Sequence, residues 1–270
     1  MCIRDRDYPF ALAWANHSWY KKTWSDNGQR HDECLIEQTY PGIDDAREHF
    51  DFLVKAFRDE RYIKIDGKPF LYIFDPDAIP PEYIDWFHQW AREAGFRGLY
   101  IVAEPRGKFT LEGYCSIGYQ AIVENNIMGF LQEEYLHMSK YKRSILRAYR
   151  RLKQYVTGIP RGAVDYRTFV HRAVSSACKK RTVIPIIFPN WDHSPRSGRS
   201  AVTIHYNAQP KYFYEMACDA LEAVKNKPEE EQIIILKSWN EWGEGNYMEP
   251  DLKYGHGYID ALRRAVDKYK

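Results

Sequence analysis

Two carboxylate side chains near the C-terminus have the type and spacing that acid–base chemistry on a glycosidic bond requires. Residues 238–245 read SWNEWGEG and come after an apolar run, so Glu241 and Glu244 lie three positions apart on one predicted loop. Such chemistry commonly needs one carboxyl group that accepts a proton or attacks, and a second that donates to the leaving oxygen. Two neighbouring carboxyl groups can divide these roles, because each negative charge disfavours ionisation of the other. The spacing therefore predicts Glu241 and Glu244 as a catalytic pair.

The neighbours of this pair favour a binding site over two solvated loop glutamates. Trp239, Asn240 and Trp242 surround them in the sequence. Flat aromatic rings cover the apolar face of a sugar while polar groups bind its hydroxyls. We therefore expect these three residues to bind substrate. Retention and inversion remain open, because the spacing across a loop that contains glycine does not fix the distance between the carboxyl groups.

Similar polar and aromatic residues come after the other apolar runs. The further candidates for substrate binding are Trp14, Asn16, Trp19, Glu104, Trp191, Asp192 and His193. Asp75 and Glu124 stand at equivalent places. Any one tryptophan is more simply explained by packing, so the prediction depends on the shared position after a strand. Asp192 and His193 are competent metal ligands, but no second His or Cys stands at ligand spacing, so contacts with sugar hydroxyls or loop hydrogen bonds are predicted instead of a metal site.

Motifs for other chemistries are missing from the sequence. It has no GxSxG elbow for a Ser/His/Asp triad. Neither GxGxxG nor GxxxxGK[ST] occurs, which argues against a dinucleotide cofactor or ATP. No cofactor is predicted.

The elements that would position these residues alternate between apolar runs and helix-period stretches, which is typical of parallel βα units. Strands are predicted at residues 9–15, 69–74, 99–103, 120–123, 182–188 and 232–237. Helices are predicted at residues 44–58, 81–94 and 258–269, with a helical insertion at about 129–180. The loops at the C-terminal ends of parallel barrel strands meet on one face. All the candidate residues are therefore expected on one face of an α/β barrel.

The predicted fold is a (β/α)8 barrel of the TIM type with six of its eight units visible. The first six residues, MCIRDR, look foreign to the rest of the chain and are set aside, so the barrel domain is taken as residues 7–270. Because the chain opens directly on a strand, we expect that an N-terminal part holding two βα units is missing. The length of 270 residues fits one domain.

Composition limits the partners and the compartment. Charged residues make up 28% of the chain and the net charge is +2, which gives no reason to expect nucleic acid or an anionic membrane. A Lys/Arg cluster at residues 140–153 is interpreted as a solvated helix face, with an anion-binding surface as the alternative. Five widely spread cysteines predict free thiols, and the sequence has no apolar run of about 18 residues. A cytoplasmic protein without a transmembrane segment is expected, and the oligomeric state is left open.

Three sequence segments resemble a known family. The segments ALAWANHSW, VIPIIFPNWDHSPR and LKSWNEWGEGNYMEPD, with YGHGYIDAL after the last, look like the WbsX-like family of bacterial polysaccharide-cluster proteins. That family is similar to glycoside hydrolase family 99, a group of endo-α-mannosidases and endo-mannanases. The resemblance runs from about Tyr8 to the C-terminus and implies a (β/α)8 barrel.

The resemblance also implies roles for the two glutamates. Glu241 corresponds to the base that deprotonates the sugar 2-hydroxyl to give a 1,2-anhydro intermediate, and Glu244 to the acid/base at the glycosidic oxygen. Members of the WbsX-like group are commonly described as glycosyltransferases of O-antigen or capsule synthesis, so both transfer and hydrolysis of an oligosaccharide or polysaccharide stay open. The alternatives are a non-catalytic glycan-binding barrel, an inactive fragment, and a scaffold partner that makes contact through the basic helical region.

Overall fold

The computed structural model describes residues 7–24, 30–124, 138–159, 163–197 and 204–270. The N-terminal hexapeptide and the neighbours Asn125 and Asn126 lie outside these residues. The strands are β1 Leu12–Trp14, β2 Trp19–Trp24, β3 Arg30–Ile36, β4 Lys64–Ile65, β5 Lys68–Ile73, β6 Tyr100–Ala103, β7 Ala121–Glu124, β8 Ala163–Asp165, β9 Val183–Ile187, β10 Ile204–Tyr206, β11 Ile235–Leu236, β12 Asn240–Glu241 and β13 Asn246–Tyr247. The α-helices are α1 Ile43–Phe57, α2 Pro81–Glu93, α3 Leu111–Ile117, α4 Lys140–Thr157, α5 Tyr166–Ala173, α6 Ser194–Ser197, α7 Pro210–Val224 and α8 Gly257–Tyr269.

A parallel sheet is the centre of the fold. Its order is β1-β5-β6-β7-β9-β11, which is the order of the chain, with β4 antiparallel to β5. These six parallel strands coincide with the six predicted apolar runs, so the prediction of parallel βα units is confirmed. Within the described residues, β1 and β11 are the edges of an open sheet. The closed barrel of eight units stays a prediction.

Alternation along the strands divides the apolar core into two clusters, because successive side chains point to opposite faces of a sheet. Leu71 and Ile101 pack with helices α1 and α2, where Phe50 and Phe87 are buried. The strand residues adjacent to Leu71 and Ile101 in sequence point to the other face and pack with α5, α7 and α8 in a second cluster, which includes Val102. Both faces of the sheet are therefore covered, which explains why β6 and β9 are buried at every residue.

The limits of helix α2 agree with the predicted signals. Pro81 occupies the first turn, where a backbone N–H has no partner within the helix, so the N–H that proline lacks costs no hydrogen bond. Gly95 comes just after the helix with φ +94, a conformation that favours glycine. The Gly95 N–H donates to the Arg92 carbonyl at 3.1 Å, and the Phe96 N–H donates to the Ala91 carbonyl at 2.9 Å. The predicted stop at Gly95 is confirmed.

The described part of the predicted helical insertion contains more than one kind of element. Strand β8 pairs in parallel with β10, and helix α5 packs into the core through Phe169 and Val170. Helix α5 is thus the ordinary helix between two sheet strands, β7 and β9. Helix α4 stands apart from the core, since none of its residues is buried. Residues 129–137 and 160–162 lie outside the described part.

Helix α4 exposes most of its apolar side chains. Tyr141, Ile145, Tyr149, Leu152, Tyr155 and Val156 are between 52% and 90% exposed. Leu146 and Lys153 are only partly exposed, and the Lys153 ammonium donates to the Tyr206 hydroxyl at 3.1 Å. A solvated basic face is therefore an incomplete description, because the exposed side is largely apolar.

The elements that were not predicted from the sequence include a hairpin and a long helix. Strands β2 and β3 form an antiparallel hairpin, and α7 is a long helix with a buried face. Among the residues that the structure describes, four cysteines are free thiols, namely Cys34, Cys115, Cys178 and Cys218. Within the described ranges, no helix is long and apolar enough to cross a bilayer, and no group of three or more potential metal-ligating side chains is present.

Candidate active site

Neighbouring strands bring two of the predicted loops together. Strand β11 pairs in parallel with β9, with Leu236 opposite Ile187, and the Lys237 N–H donates to the Ile187 carbonyl at 2.9 Å. The loop after β9 carries Trp191 to His193, and the loop after β11 carries both glutamates. Parallel pairing therefore sets these two loops side by side at the C-terminal ends of the strands.

A short hairpin fixes the loop after β11. Strands β12 and β13 pair in antiparallel register and are joined by a 3-10 turn, Trp242–Glu244. Gly245 then takes φ +53, and a Cβ there would meet the Asp192 backbone carbonyl at 3.3 Å. Asn246 is buried, and its side-chain oxygen accepts the Ser238 N–H at 2.6 Å. The SWNEWGEG segment is thus an ordered turn.

Glu244 is held by side chains from the loop after β9. Its carboxylate accepts the Trp191 indole N–H at 3.1 Å and an Arg196 N–H at 2.8 Å. The His193 Nε2 atom lies 3.2 Å from the same carboxylate oxygen that binds Arg196. The Glu244 carbonyl also accepts the Asp192 N–H at 2.9 Å. With its side chain only 18% exposed, Glu244 has one fixed orientation.

Glu241 shares a guanidinium group with Glu244. Arg196 Nη2 donates to Glu241 Oε1 at 3.1 Å, while Nη1 donates to Glu244. The Glu241 side chain is 41% exposed, so one side of its carboxyl group stays open to a ligand. A Cβ at Gly243 would lie 2.8 Å from Arg196 Nη2 and 3.1 Å from Glu241 Oε1. Glycine at 243 therefore leaves the space in which Arg196 bridges the two carboxylates.

A line of cationic and aromatic side chains connects this pair to the strands further along the sheet. Lys237 Nζ lies 4.8 Å from the Trp191 ring and 5.9 Å from the Phe74 ring. Arg106 lies over Phe74 at 4.1 Å, and its guanidinium is 3.8 Å from Glu104. Glu104 therefore lies on the same face of the molecule as the pair, at the far end of this line.

Glu104 is buried and hydrogen-bonded. The Tyr72 hydroxyl donates to its carboxylate at 2.6 Å, and only 2% of Glu104 is exposed. Burial, and then the Glu104 charge, raise the pKa of Tyr72 well above its ordinary value. The Tyr72 proton is therefore retained and used to hold Glu104.

An aromatic pair borders the turn. The Trp242 and Tyr247 rings are stacked at 3.7 Å with an interplanar angle of 12°, and the Trp242 indole donates to Glu249 at 2.7 Å. Trp242 is 48% exposed and Trp239 is 43% exposed. Such rings, fixed in position and open to solvent, fit stacking against a sugar. Trp19 is more exposed still, on the β2–β3 hairpin.

Two predicted binding residues make contacts inside the protein. Asn16 is 1% exposed; its side chain donates to the Tyr40 hydroxyl at 2.9 Å and exchanges hydrogen bonds with the Asp75 backbone. The Trp14 ring lies 4.3 Å from His49 and packs with the helix-side cluster, because it has the same strand parity as Leu12. Asn16 thus ties β1 to β5, and Trp14 is a packing residue.

Three further candidates shape the loops. The Asp192 carboxylate accepts the Ser194 N–H at 2.9 Å, which begins the short helix α6 that carries Arg196. Asn240 is exposed and pairs with Tyr247 across the hairpin. Glu124 accepts hydrogen bonds from Ser175 and Cys178. Asp192 and Glu124 therefore order the backbone, while Asn240 is available to solvent.

The sequence profile of the family described as Glycosyltransferase WbsX matches residues 2–262. The chain belongs to this family. Two curated relatives, both described as uncharacterised protein WxcX of Xanthomonas campestris pv. campestris, are each 25% identical over 264 residues. The match covers 96% of this chain and 35% of each relative, so the chain spans about a third of their length.

Solved structures share the fold of this WbsX-family chain. A glycoside hydrolase-like protein matches with a TM-score of 0.53 and 16% identity, covering 82% of this chain and 60% of that one. The GH99 endo-α-mannosidase of Bacteroides thetaiotaomicron matches with a TM-score of 0.50 and 16% identity, covering 85% of this chain and 63% of that one. At this identity the likeness concerns the fold alone.

The candidate site of this WbsX-family chain contains two side chains that sequence reasoning missed, Arg196 and Lys237. Arg196 lies in the VIPIIFPNWDHSPR segment, and Lys237 precedes SWNEWGEG directly. Each of these two basic residues comes after a sheet strand, in a loop that also carries acidic candidate residues. That position in the sequence is the signal that could have indicated both.

Proposed function

We propose that this chain is the core of a carbohydrate-active enzyme that transfers or hydrolyses a glycosyl unit with Glu241 and Glu244. The observation that supports it most is the bridge from one guanidinium to two carboxylates, at the C-terminal strand ends where α/β barrels carry their active sites. Membership of the WbsX glycosyltransferase family and the GH99-like fold support a carbohydrate substrate in bacterial surface-polysaccharide metabolism.

The different surroundings of the two carboxyl groups fit different roles. Glu241 has an open side, so it suits the base that takes the proton from the sugar 2-hydroxyl while O2 attacks C1. Glu244 is held by Trp191 and Arg196 and suits the acid that protonates the glycosidic oxygen as the bond from C1 breaks. A water or acceptor hydroxyl then opens the 1,2-anhydro ring at C1, giving its proton to Glu244, while O2 regains a proton from Glu241. Water completes hydrolysis, and a sugar hydroxyl completes transfer.

Arg196 and the aromatic residues fit this assignment. The Arg196 cation stabilises the negative charge of Glu241 and the negative charge that Glu244 carries after it has given up its proton. Trp242 on Tyr247 offers a flat, fixed ring to the apolar face of a sugar, and Asn240 offers an amide beside it. The first substrates to test are α-linked mannosides, because the GH99 neighbour is described as an endo-α-mannosidase.

The test compares Glu241→Gln and Glu244→Gln with a matched control. Each should lower turnover of an activated α-mannoside or mannan oligosaccharide by at least about 100-fold, as expected for loss of a general acid or base. Glu222→Gln makes the same change on the exposed face of α7 and should leave turnover unchanged. Products are measured by mass spectrometry with and without an acceptor sugar.

Two outcomes would contradict the proposal. If both variants turn over like the parent protein, the pair is not catalytic. If saccharides bind to the parent and to both variants without any product, the chain is a glycan-binding barrel.

A further inference from the structure

Helix α4 turns an apolar side toward solvent. Large apolar side chains recur along it every three or four residues and are each more than half exposed, namely Tyr141, Ile145, Tyr149, Leu152 and Val156. In the amphipathic helix of a soluble protein such an apolar stripe normally faces the core, as it does in α1, where Phe50 and Phe57 are buried. The stripe of α4 therefore has the wrong orientation for a core element, and contiguous apolar surface of this kind marks an interaction site.

Another side of α4 faces the protein. Arg143, Leu146, Arg150 and Lys153 are only partly exposed and also follow one another at a spacing of three or four residues. The Lys153 ammonium donates to the Tyr206 hydroxyl at 3.1 Å and lies 5.1 Å from the centre of that ring. The contacts with the described part of the protein thus hold α4 with its apolar stripe outward.

The ends of α4 are fixed by its own capping residues. The Ser139 hydroxyl accepts the Lys142 N–H at 3.3 Å at the first turn. At the other end Gly158 takes φ +72, and its N–H donates to the Gln154 carbonyl at 2.9 Å. At 1.5 Å per residue the apolar stripe from Tyr141 to Val156 is about 22 Å long. It is therefore a continuous surface on one regular helix.

The charge of α4 has a single sign that does not stabilise the helix. Lys and Arg occupy seven of its positions, and Asp and Glu none. Arg143, Arg147 and Arg151 stand four residues apart, a spacing at which like charges repel. Lys140 and Lys142 lie in the first turn, where the helix dipole favours negative charge. A negatively charged partner would explain a composition that costs the isolated helix stability.

The positive charges border the apolar stripe. Lys142 lies on one side of it and Arg151 on the other, and both side chains are exposed. Their long aliphatic parts can lie along apolar surface while the charged ends reach a polar layer. An apolar stripe with cationic borders is the pattern of helices that lie in the plane of a bilayer interface.

We propose that α4 docks on a lipid surface that contains anionic headgroups. The apolar stripe enters the headgroup region, and the basic borders meet the negative charge above it. Each Lys or Arg near such a surface contributes about a fivefold gain in binding. The low net charge of the chain does not oppose this, because the positive charge is concentrated on one helix. The docking is independent of the proposed chemistry, since neither Glu241 nor Glu244 lies on α4.

Two other occupants fit α4 less well. A second copy of the chain, docked through the same helix, would bring seven further positive charges against the first seven. An acidic polysaccharide would account for the positive charge, but its hydroxylated chain has little apolar surface to cover Ile145, Leu152 and Val156. A bilayer with anionic headgroups supplies both the negative charge and the apolar region.

Sedimentation with vesicles tests the proposal. The chain should bind vesicles of phosphatidylglycerol with phosphatidylcholine and should not bind vesicles of phosphatidylcholine alone. Raising the salt from about 0.1 M to about 1 M should weaken binding, because it shortens the range of the charge attraction from about 10 Å to about 3 Å. Glu241→Gln should bind vesicles like the parent protein, so that failure of the catalytic proposal and failure of this one are distinguishable.

The apolar stripe is tested by Ile145→Gln combined with Leu152→Gln. This variant should weaken vesicle binding at least about tenfold, because two apolar side chains no longer leave water on docking. Tm should be unchanged, since both side chains are exposed in the protein. Phe52→Gln is the matched control, because it removes a side chain that is 69% exposed on α1, and it should leave vesicle binding unchanged.

The basic border is tested by Lys142→Glu. Reversing this charge should weaken binding to the anionic vesicles at least about tenfold. The helix itself should tolerate the change, because the helix dipole favours glutamate in the first turn. Lys55→Glu makes the same change of charge on α1 and should leave vesicle binding unchanged.

Four outcomes would overturn the proposal. The first is equal binding to neutral and anionic vesicles, and the second is binding of the Ile145→Gln, Leu152→Gln variant like that of the parent. The third is self-association of the parent that this variant abolishes, without vesicle binding, which would identify a second copy as the occupant. The fourth is binding of polygalacturonate, an acidic polysaccharide, by a chain that does not bind vesicles.

Discussion

The Trp191 indole donates to the Glu244 carboxylate across 3.1 Å and so joins the loops that leave two neighbouring strands. Trp191 is 9% exposed, its ring packs 5.8 Å from Phe188, and Lys237 lies over it. A buried ring with one fixed donor sets the direction of the carboxyl group more narrowly than a loop side chain could. The orientation of Glu244 therefore depends on a residue from a different βα unit.

Trp191→Phe tests this dependence. Phenylalanine retains an aromatic ring but lacks the N–H, so Glu244 gains freedom to rotate. We expect turnover to fall about tenfold while Tm falls by only a few degrees. Steady-state kinetics and thermal unfolding measure the two effects. Equal turnover in the variant would show that Arg196 alone orients Glu244.

Gly243→Ala should disturb the carboxylate bridge without unfolding the turn. The added methyl would stand 2.8 Å from Arg196 Nη2, the far end of a flexible side chain, so the guanidinium moves before the backbone does. We expect little change in Tm and a loss of turnover of about tenfold or more, since Glu241 loses its hydrogen bond from the Arg196 guanidinium. In an Arg196→Ala background the same substitution should have a smaller effect, limited to the contact of the added methyl with Glu241 Oε1 at 3.1 Å. An equally large loss in that background would show that the effect does not pass through Arg196.

His205 predicts a dependence of stability on pH. Because burial lowers its pKa from 6.5 to about 4, the unfolded chain takes up a proton at higher pH than the folded chain does. The contribution of neutral His205 is fully present above pH 6.5 and is lost as the pH falls toward 4. His205→Phe should remove this part of the dependence, roughly 3 kcal/mol at most. Urea unfolding at neutral pH and near pH 4 measures this contribution. If the free energy of unfolding depends on pH equally in the parent and in His205→Phe, His205 is not the source of the dependence.

Asn16 should act on stability and not on substrate. Asn16→Ala would leave the Tyr40 hydroxyl and the Asp75 backbone, which are partly buried, without their partners. We expect the free energy of unfolding to fall by about 2–3 kcal/mol with turnover retained well below Tm. Asn240→Ala, at an exposed position, should do the reverse. Loss of turnover in Asn16→Ala at unchanged stability would return Asn16 to the binding residues.

The sequence predicted the parts of the fold that depend on local pattern. Runs such as VIPII are buried on both faces of a sheet and read as strands in any context, and the stop at Gly95 depends on a single backbone conformation. The β2–β3 hairpin was missed because Trp19–Trp24 and Arg30–Ile36 are rich in polar residues and lack an apolar run. The sequence predicted that α4 is basic. It did not predict which side of α4 faces the protein, because that depends on the residues against which the helix packs.

The site residues also divide into those that a local sequence pattern predicts and those that it does not. Glu241, Glu244, Trp191 and His193 were singled out because they come after strands, and the structure brings them together. Trp14 was singled out by the same argument from position, but the alternation of side chains along β1 places it on the face that packs against the helices. Arg196 was missed because its importance lies in a contact with residues 45 and 48 positions away, which no local pattern contains.

Gly243 and Arg196 have a consequence for how such a site can change over evolutionary time. The two glutamates belong to one turn and Arg196 belongs to another, so each part of the site can mutate separately. A residue larger than glycine at 243, however, displaces the Arg196 guanidinium. Copying the octapeptide into another barrel would transfer the acids without their counter-ion. Homologues that differ at one of these two positions should therefore differ at the other as well.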